Sequence, residues 1–264
     1  SGWIEKINAD KVDDKFVDAK QRIISRTQET LSRMNKGVEL LQSDSVAWQA
    51  FILANQAMLR QMIHSQEEFS AVLNKNEKIY IQPDYHAKKY ENFAWRPFQL
   101  AFILVVVESM VNKDSPDRDI LDLIWFPTGG GKTEAYLALA AFELIYRRLK
   151  FGSAGAGTSV IKRYTLRLLT SQQFQRASTL ISCLELMRKE NTPLLGSETF
   201  SLGLWVGETS SPNFYSKEGE HNSGAYQVFQ KVMTDNPTEN PFPLQQCPLC
   251  GTRIVPSKQT EDPS

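Results

Sequence analysis

Ile120-Leu121-Asp122-Leu123-Ile124-Trp125-Phe126-Pro127-Thr128-Gly129-Gly130-Gly131-Lys132-Thr133-Glu134 is the stretch on which the reading of this chain turns. A short apolar run, Ile120 to Phe126, ends at a glycine cluster, and an amphipathic stretch follows from Glu134 to Leu149. An apolar run of that length before glycine fits a buried strand of a parallel sheet, and the periodic stretch reads as a helix. Glycines let the main chain curl and turn successive N–H groups inward, at a helix N-terminus whose dipole favours anions. A triphosphate asks for that density of donors. Thr128, Gly129, Gly130, Gly131, Lys132, Thr133 and Glu134 are therefore the expected phosphate contacts. The Lys132 ammonium would reach the phosphates, and the Thr133 hydroxyl would join the shell of a Mg²⁺ ion. The alternative is a plain glycine turn that happens to end in Lys-Thr.

Downstream, Phe151 to Gly157 is a small-residue loop, Ser159 to Tyr164 reads as a second strand, Leu168 to Lys189 as a helix and Ser201 to Val206 as a third strand. Alternating strands and helices predict an α/β architecture, a parallel sheet with flanking helices and right-handed crossovers. Upstream, Asp114 to Asp117 is a turn, and Pro97 suits the first turn of an apolar helix ending near Met110. The stretch 74–95 reads as irregular. Two helical stripes precede it: Phe16, Ile23, Leu31, Met34, Val38 and Leu41, interrupted by Gly37; then Trp48, Phe51, Ile52, Leu59, Met62 and Ile63, capped within Ser43-Asp44-Ser45. Both stripes are expected to be packing faces.

Between Leu144 and Leu184 there is no Asp or Glu, whereas Arg147, Arg148, Lys150, Lys162, Arg163, Arg167 and Arg176 are all present. The block from Arg163 to Gln173 lies where the second expected strand meets its helix, the edge at which α/β proteins bind ligands. Arg163, Thr165, Arg167, Thr170, Gln172, Gln173 and Arg176 carry the hydroxyl, amide and guanidinium groups that a phosphodiester backbone calls for. A solvated helix face is the bland alternative. The polar loop Gly207 to Asn213 is either a further contact or only a turn.

Cys247-Pro248-Leu249-Cys250-Gly251 has the spacing of half a zinc knuckle. A structural zinc site takes four ligands, so the remaining ones are expected beyond Ser264 unless the pair is unmetallated. Cys183, flanked by Leu180, Ile181 and Leu184, reads as packing. Three cysteines in 264 residues do not make a secreted disulfide framework, which points to a reducing cytoplasm. Thirty basic residues balance thirty acidic ones, which argues against a histone-like or polybasic membrane-binding protein, though a local patch suffices for nucleic acid. No segment reaches the roughly 18 apolar residues of a membrane span; the longest run, Leu100 to Val107, stops at Glu108. The opening Ser1-Gly2-Trp3 lacks the features of a signal peptide, and the polar end at Lys258 to Ser264 reads as the cut end of a longer chain.

Pro127-Thr128-Gly129-Gly130-Gly131-Lys132-Thr133 resembles the phosphate loop of superfamily 2 helicases and translocases, in which the first Gly of the general pattern, here Phe126, is often replaced. Arg96-Pro97-Phe98-Gln99 resembles their Arg-Pro-Tyr-Gln element, whose Gln reads adenine; an amide offers the donor and acceptor that the adenine N6/N7 edge matches. Further strings, Trp95 to Phe102, Asp122 to Phe126, Thr133 to Leu137, Arg163 to Ala177 and Gly203 to Gly207, resemble the DrmA-like helicase subunits of the DISARM anti-phage defence system. Druantia-type defence helicases share the string from Trp125 to Tyr136. The resemblance implies a partial RecA-like ATP-binding lobe at 95–236, a helical region at 1–94 and the start of a zinc-ribbon-like insertion at 237–264. It implies an ATP- and Mg²⁺-dependent motor acting on phage DNA, single-stranded or overhanging, beside a partner subunit. No Asp-Glu box of the kind that splits ATP follows the loop. The rival reading is a non-catalytic module whose assembly with a partner is controlled by nucleotide.

Overall fold

In the computed structural model of the chain, the residues described are 2–66, 72–74, 77–127, 129–164, 167–207, 212, 214–215, 224–235 and 242–254. Their elements, in order, are α1 (Gly2–Ala9), α2 (Val17–Ser43), α3 (Ser45–Gln66), β1 (Val72–Asn74), β2 (Glu77–Ile79), α4 (Pro97–Val111), α5 (Lys132–Phe151), α6 (Arg167–Glu190), α7 (Thr192–Leu195) and α8 (Ala225–Asp235). The chain falls into two units, Ser1–Asn55 with Phe93–Ala156 and Gln56–Asn92 with Gly157–Ser264.

The parallel sheet expected from the sequence, and with it the α/β, RecA-like lobe, is overturned. Among the described residues the sheet is one antiparallel pair, β1 with β2, in the register Val72↔Ile79 and Asn74↔Glu77. The runs Ile120–Phe126, Ser159–Tyr164 and Ser201–Val206 carry no strand. A strand of a parallel sheet is covered on both faces. Here Leu121 is 95% exposed, Trp125 91%, Ile161 87% and Trp205 100%. The apolar letters that suggested a buried strand belong to irregular segments in which the largest of them, Trp125 and Trp205, face solvent.

The helices follow the chain's own punctuation. Asp44 Oδ1 accepts from Val46 N and Ala47 N, both at 2.9 Å, so the expected cap starts α3. Pro97 opens α4, and α5 begins directly on the glycine loop at Lys132. The packing faces keep only part of the expected stripes, with Leu41 of the first and Ile63 of the second buried. On α2 the buried residues are Ile24, Arg33, Gly37 and Leu41, while Ile23, Leu31 and Val38, with Phe16 just before the helix, are exposed. On α3 a row of alanines, Ala47, Ala50, Ala54 and Ala57, is buried, while Trp48 and Ile52 are exposed. Small residues let backbones approach closely: a Cβ at Gly37 would overlap the Leu104 carbonyl of α4. Within the first unit, α2 packs on α4, and α4 on α5. The inward face of α5 is Ala135, Leu137, Ala138, Ala141, Phe142 and Ile145.

Candidate functional site

The glycine loop and the Arg96–Gln99 segment, apart in sequence, meet in the first unit. Gly129 and Gly131 take left-handed backbone, φ 79° and 91°, which favours glycine at both positions. Gly130 N–H donates to Pro127 O at 3.1 Å, closing the turn. Gly131 is the residue from which α5 departs, so the first helical N–H groups, which have no partner within the helix, lie beside it. Lys132 Nζ donates to Phe126 O and, at 3.1 Å, to Pro127 O. Thr133 and Glu134 sit half-buried in the first turn of α5, where Glu134 places an acidic group near the positive end of the helix. Thr128 lies outside the described residues.

Two bonds fasten this loop to the start of α4, and a third holds the two side chains that make them. Gln99 Nε2 donates to Gly131 O at 2.7 Å, Arg96 Nη1 donates to Gly130 O at 2.7 Å, and Gln99 Oε1 accepts from Arg96 N at 2.8 Å. Phe98 stacks on Phe126 with ring centroids 4.0 Å apart and planes at 13°. A Cβ on Gly130 would meet that Phe126 ring, so the residue that departs from the general glycine pattern is the one packed against the loop. Sequence reasoning quoted both segments without foreseeing these bonds.

One residue was missed altogether. Arg33, buried on α2, makes a two-pronged ion pair with Asp122, at 2.6 and 2.8 Å, and its Nε lies 3.6 Å from Asp117. Lys36 adds a contact to Asp117 at 3.1 Å. The hydrogen bond that Arg33 donates to Asp122, ahead of the opposing cost of burial, raises the Arg33 pKa and keeps the guanidinium charged. The segment leading into the glycine loop is thus pinned to α2 by charge. An Arg in a polar helix carries no signal in one sequence that would single it out.

The expected nucleic-acid residues lie in the second unit. Arg163 and Gln172 are exposed. Gln173 accepts from Tyr164 Oη at 3.4 Å. Burial lowers the pKa of Arg176 and of Lys162, whose Nζ lies over the Tyr164 ring at 5.5 Å. Arg167 and Thr170 fall on the first turn of α6, whose side chains are not among those described, and Thr165 lies outside the described residues. Arg147, Arg148 and Lys150 belong to the first unit, with Arg148 buried and Arg147 Nε donating to Gly155 O at 3.2 Å.

The Cys247–Cys250 turn also lies in the second unit. Cys247 N donates to Thr252 O at 2.7 Å and Gly251 N to Cys247 O at 2.9 Å, giving a tight knuckle. His64 on α3 holds it, with Nδ1 3.0 Å from Leu249 O and Nε2 2.9 Å from Tyr85 Oη. Cys183 is fully buried, and burial pushes its thiol up to about 12, which fits the packing role. Among the described residues no three His, Cys, Asp or Glu side chains cluster as metal ligands. Among the described residues nothing joins Cys247 and Cys250 to make up the four ligands that a structural zinc site takes. No helix among the described residues is long and apolar enough to cross a membrane.

In class, the first-unit site is a glycine-rich loop feeding a helix N-terminus, an arrangement in which main-chain N–H groups and the helix dipole favour an anion. The chain as a whole is similar to DISARM protein DrmA of Bacillus paralicheniformis, at 37% identity over 271 aligned residues. The alignment takes in 98% of this chain and 23% of that relative, so the chain is DrmA-like along almost all of its length and spans under a quarter of the relative's. No protein-family profile matches the chain, and no solved structure matches it significantly.

Proposed function

We propose that this chain is the nucleotide-binding portion of a DrmA-like anti-phage defence protein, an ATP- and Mg²⁺-dependent motor that acts on DNA in the cytoplasm beside a second subunit of its system. The observation that carries the reading is the loop from Gly129 to Lys132. It has two left-handed glycines, sits at the start of a 20-residue helix, and holds a lysine whose ammonium rests on the carbonyls of Phe126 and Pro127. Those carbonyls are weak partners for a full charge, and a polyphosphate is a better one. Lys132 exchanges them for phosphate oxygens, while Thr133 supplies a hydroxyl to the Mg²⁺ that accompanies the nucleotide. Among the residues expected to meet DNA, Arg163 offers an exposed guanidinium for a phosphate backbone.

The test is binding of a fluorescent ATP analogue with Mg²⁺. Lys132→Ala is expected to weaken it at least tenfold, the loss of one strong charge-assisted contact. Affinity equal to that of the unaltered protein removes the nucleotide reading. In parallel, single-stranded DNA binding is expected to weaken steeply with salt and to fall on reversing charge at Arg163 and Arg167; unchanged DNA affinity would leave those residues as a solvated face. ATP turnover separates the motor from a nucleotide-controlled assembly module, since the module binds ATP without splitting it.

A further inference from the structure

Gln99 is 5% exposed, and both ends of its amide are engaged within the chain: Oε1 accepts from Arg96 N and Nε2 donates to Gly131 O. Arg96 reaches past it to Gly130 O. We propose that Arg96 and Gln99 are positioning residues that latch the glycine loop into its anion-receiving shape, and that Gln99 serves the loop and not the base of the nucleotide. The proposal rests on the nucleotide reading given above.

The geometry of the peptide bond carries the argument. In a trans peptide the C=O of one residue and the N–H of the next point to opposite sides. Holding Gly130 O with Arg96 therefore aims Gly131 N–H away from α4. Holding Gly131 O with Gln99 does the same for Lys132 N–H. Two carbonyls, which would repel a phosphate, are turned inward and paired, and two donors are turned outward. The latch is also close-fitting, because a Cβ on Gly131 would lie 2.7 Å from Gln99 Nε2. The Phe98–Phe126 stack holds the entry to the loop against the same helix end. Nothing in this arrangement depends on which base the nucleotide carries.

Affinity for three probes separates the latch from base reading: ATP, GTP and inorganic tripolyphosphate, each with Mg²⁺. With Gln99→Leu all three are expected to weaken by a common factor of about ten, because Gly131 O loses its buried partner and the loop relaxes. Arg96→Met, at an exposed position, removes the bond to Gly130 O and is expected to weaken all three by about three- to tenfold. A loss confined to ATP, with GTP and tripolyphosphate unchanged, overturns the latch in favour of a base-reading glutamine. Hydrogen exchange reads the latch without any ligand. The amide of Gly130, which donates to Pro127 O, is expected to exchange faster in both variants while the interior of α5 keeps its protection. Unchanged loop exchange overturns the latch. If the unaltered protein binds none of the three probes, the nucleotide reading fails, and the exchange result still decides whether the latch exists.

Discussion

Arg33 shows how much of the site's foundation can rest on one side chain outside any motif. Its guanidinium is buried, pairs twice with Asp122 and approaches Asp117. Removing one partner of a buried pair strands the other charge, which costs about 3–5 kcal/mol where burial is complete. Asp122 keeps part of its side chain in water, so Arg33→Met is expected at the lower end, about 3 kcal/mol. Urea unfolding measures it. The double variant Arg33→Met with Asp122→Leu is expected to recover a large part of the loss, because no charge is left unpaired. A double variant as unstable as the single one would mean that packing of the Arg33 stem, and not the charge pair, holds this segment.

Gly37 raises the same question for a pair of helices, because α2 and α4 touch there backbone to backbone. Gly37→Ala gains helix propensity worth about 1 kcal/mol. It also drives a methyl into the Leu104 carbonyl, and forced overpacking costs about 1–3 kcal/mol or more. Overlap with rigid backbone makes the second effect win, so a net destabilisation of about 1–2 kcal/mol is expected in urea unfolding; a stabilised variant would show that the two helices separate without cost. This contact also explains what the sequence could reveal. The starts of α3, α4 and α5 were legible, since Asp44, Pro97 and the glycine loop are local signals that act on their own backbone. Packing faces were legible only in part: Leu41 and Ile63 of the expected stripes are buried, but hydrophobic periodicity follows large side chains and these helices also bury Gly37, Arg33 and a row of alanines. The three apolar runs misled for a related reason. Composition says that Leu121, Trp125 and Trp205 are apolar, but only their surroundings say whether they are covered, and here they are exposed. At the loop, the residues were legible and their bonds were not: nothing in the spacing of Arg96 and Gln99 from Gly131 announces which carbonyl each will hold.

Within the second unit, His64 is the group through which mild acid is expected to act. Leu249 O can only accept, so the bond at Nδ1 fixes the proton on that nitrogen and leaves Nε2 as an acceptor with one lone pair, facing the hydroxyls of Tyr85 and Tyr80 at 2.9 and 3.1 Å. Burial, assisted by the positive charge of Arg60 and partly opposed by the Leu249 bond, lowers the His64 pKa below its usual 6.5. Above that value folded and unfolded chains both hold a neutral imidazole, and the shift costs nothing. As pH falls below about 6.5 the unfolded chain takes up a proton that the folded chain refuses, so stability declines until the lower folded pKa is passed. Glu185 adds a second loss in a more acidic window. Its pKa is lowered chiefly by hydrogen bonds from Arg188, so its contribution is present above the ordinary carboxylate value and disappears as pH falls through the folded one. Both groups, and the Cys247–Cys250 turn that His64 holds through Leu249, lie in the second unit. Hydrogen exchange corrected for intrinsic rates is therefore expected to show residues 56–66 and 246–252 losing protection between pH 7.5 and 5.5, while α5, where burial raises the Glu143 pKa and so favours the folded state as pH falls, loses none. His64→Gln should be less stable at pH 7.5 yet lose this dependence, because an amide retains a donor for Leu249 O and has no proton to gain. Equal slopes in the variant and the unaltered protein would assign the acid sensitivity to other groups.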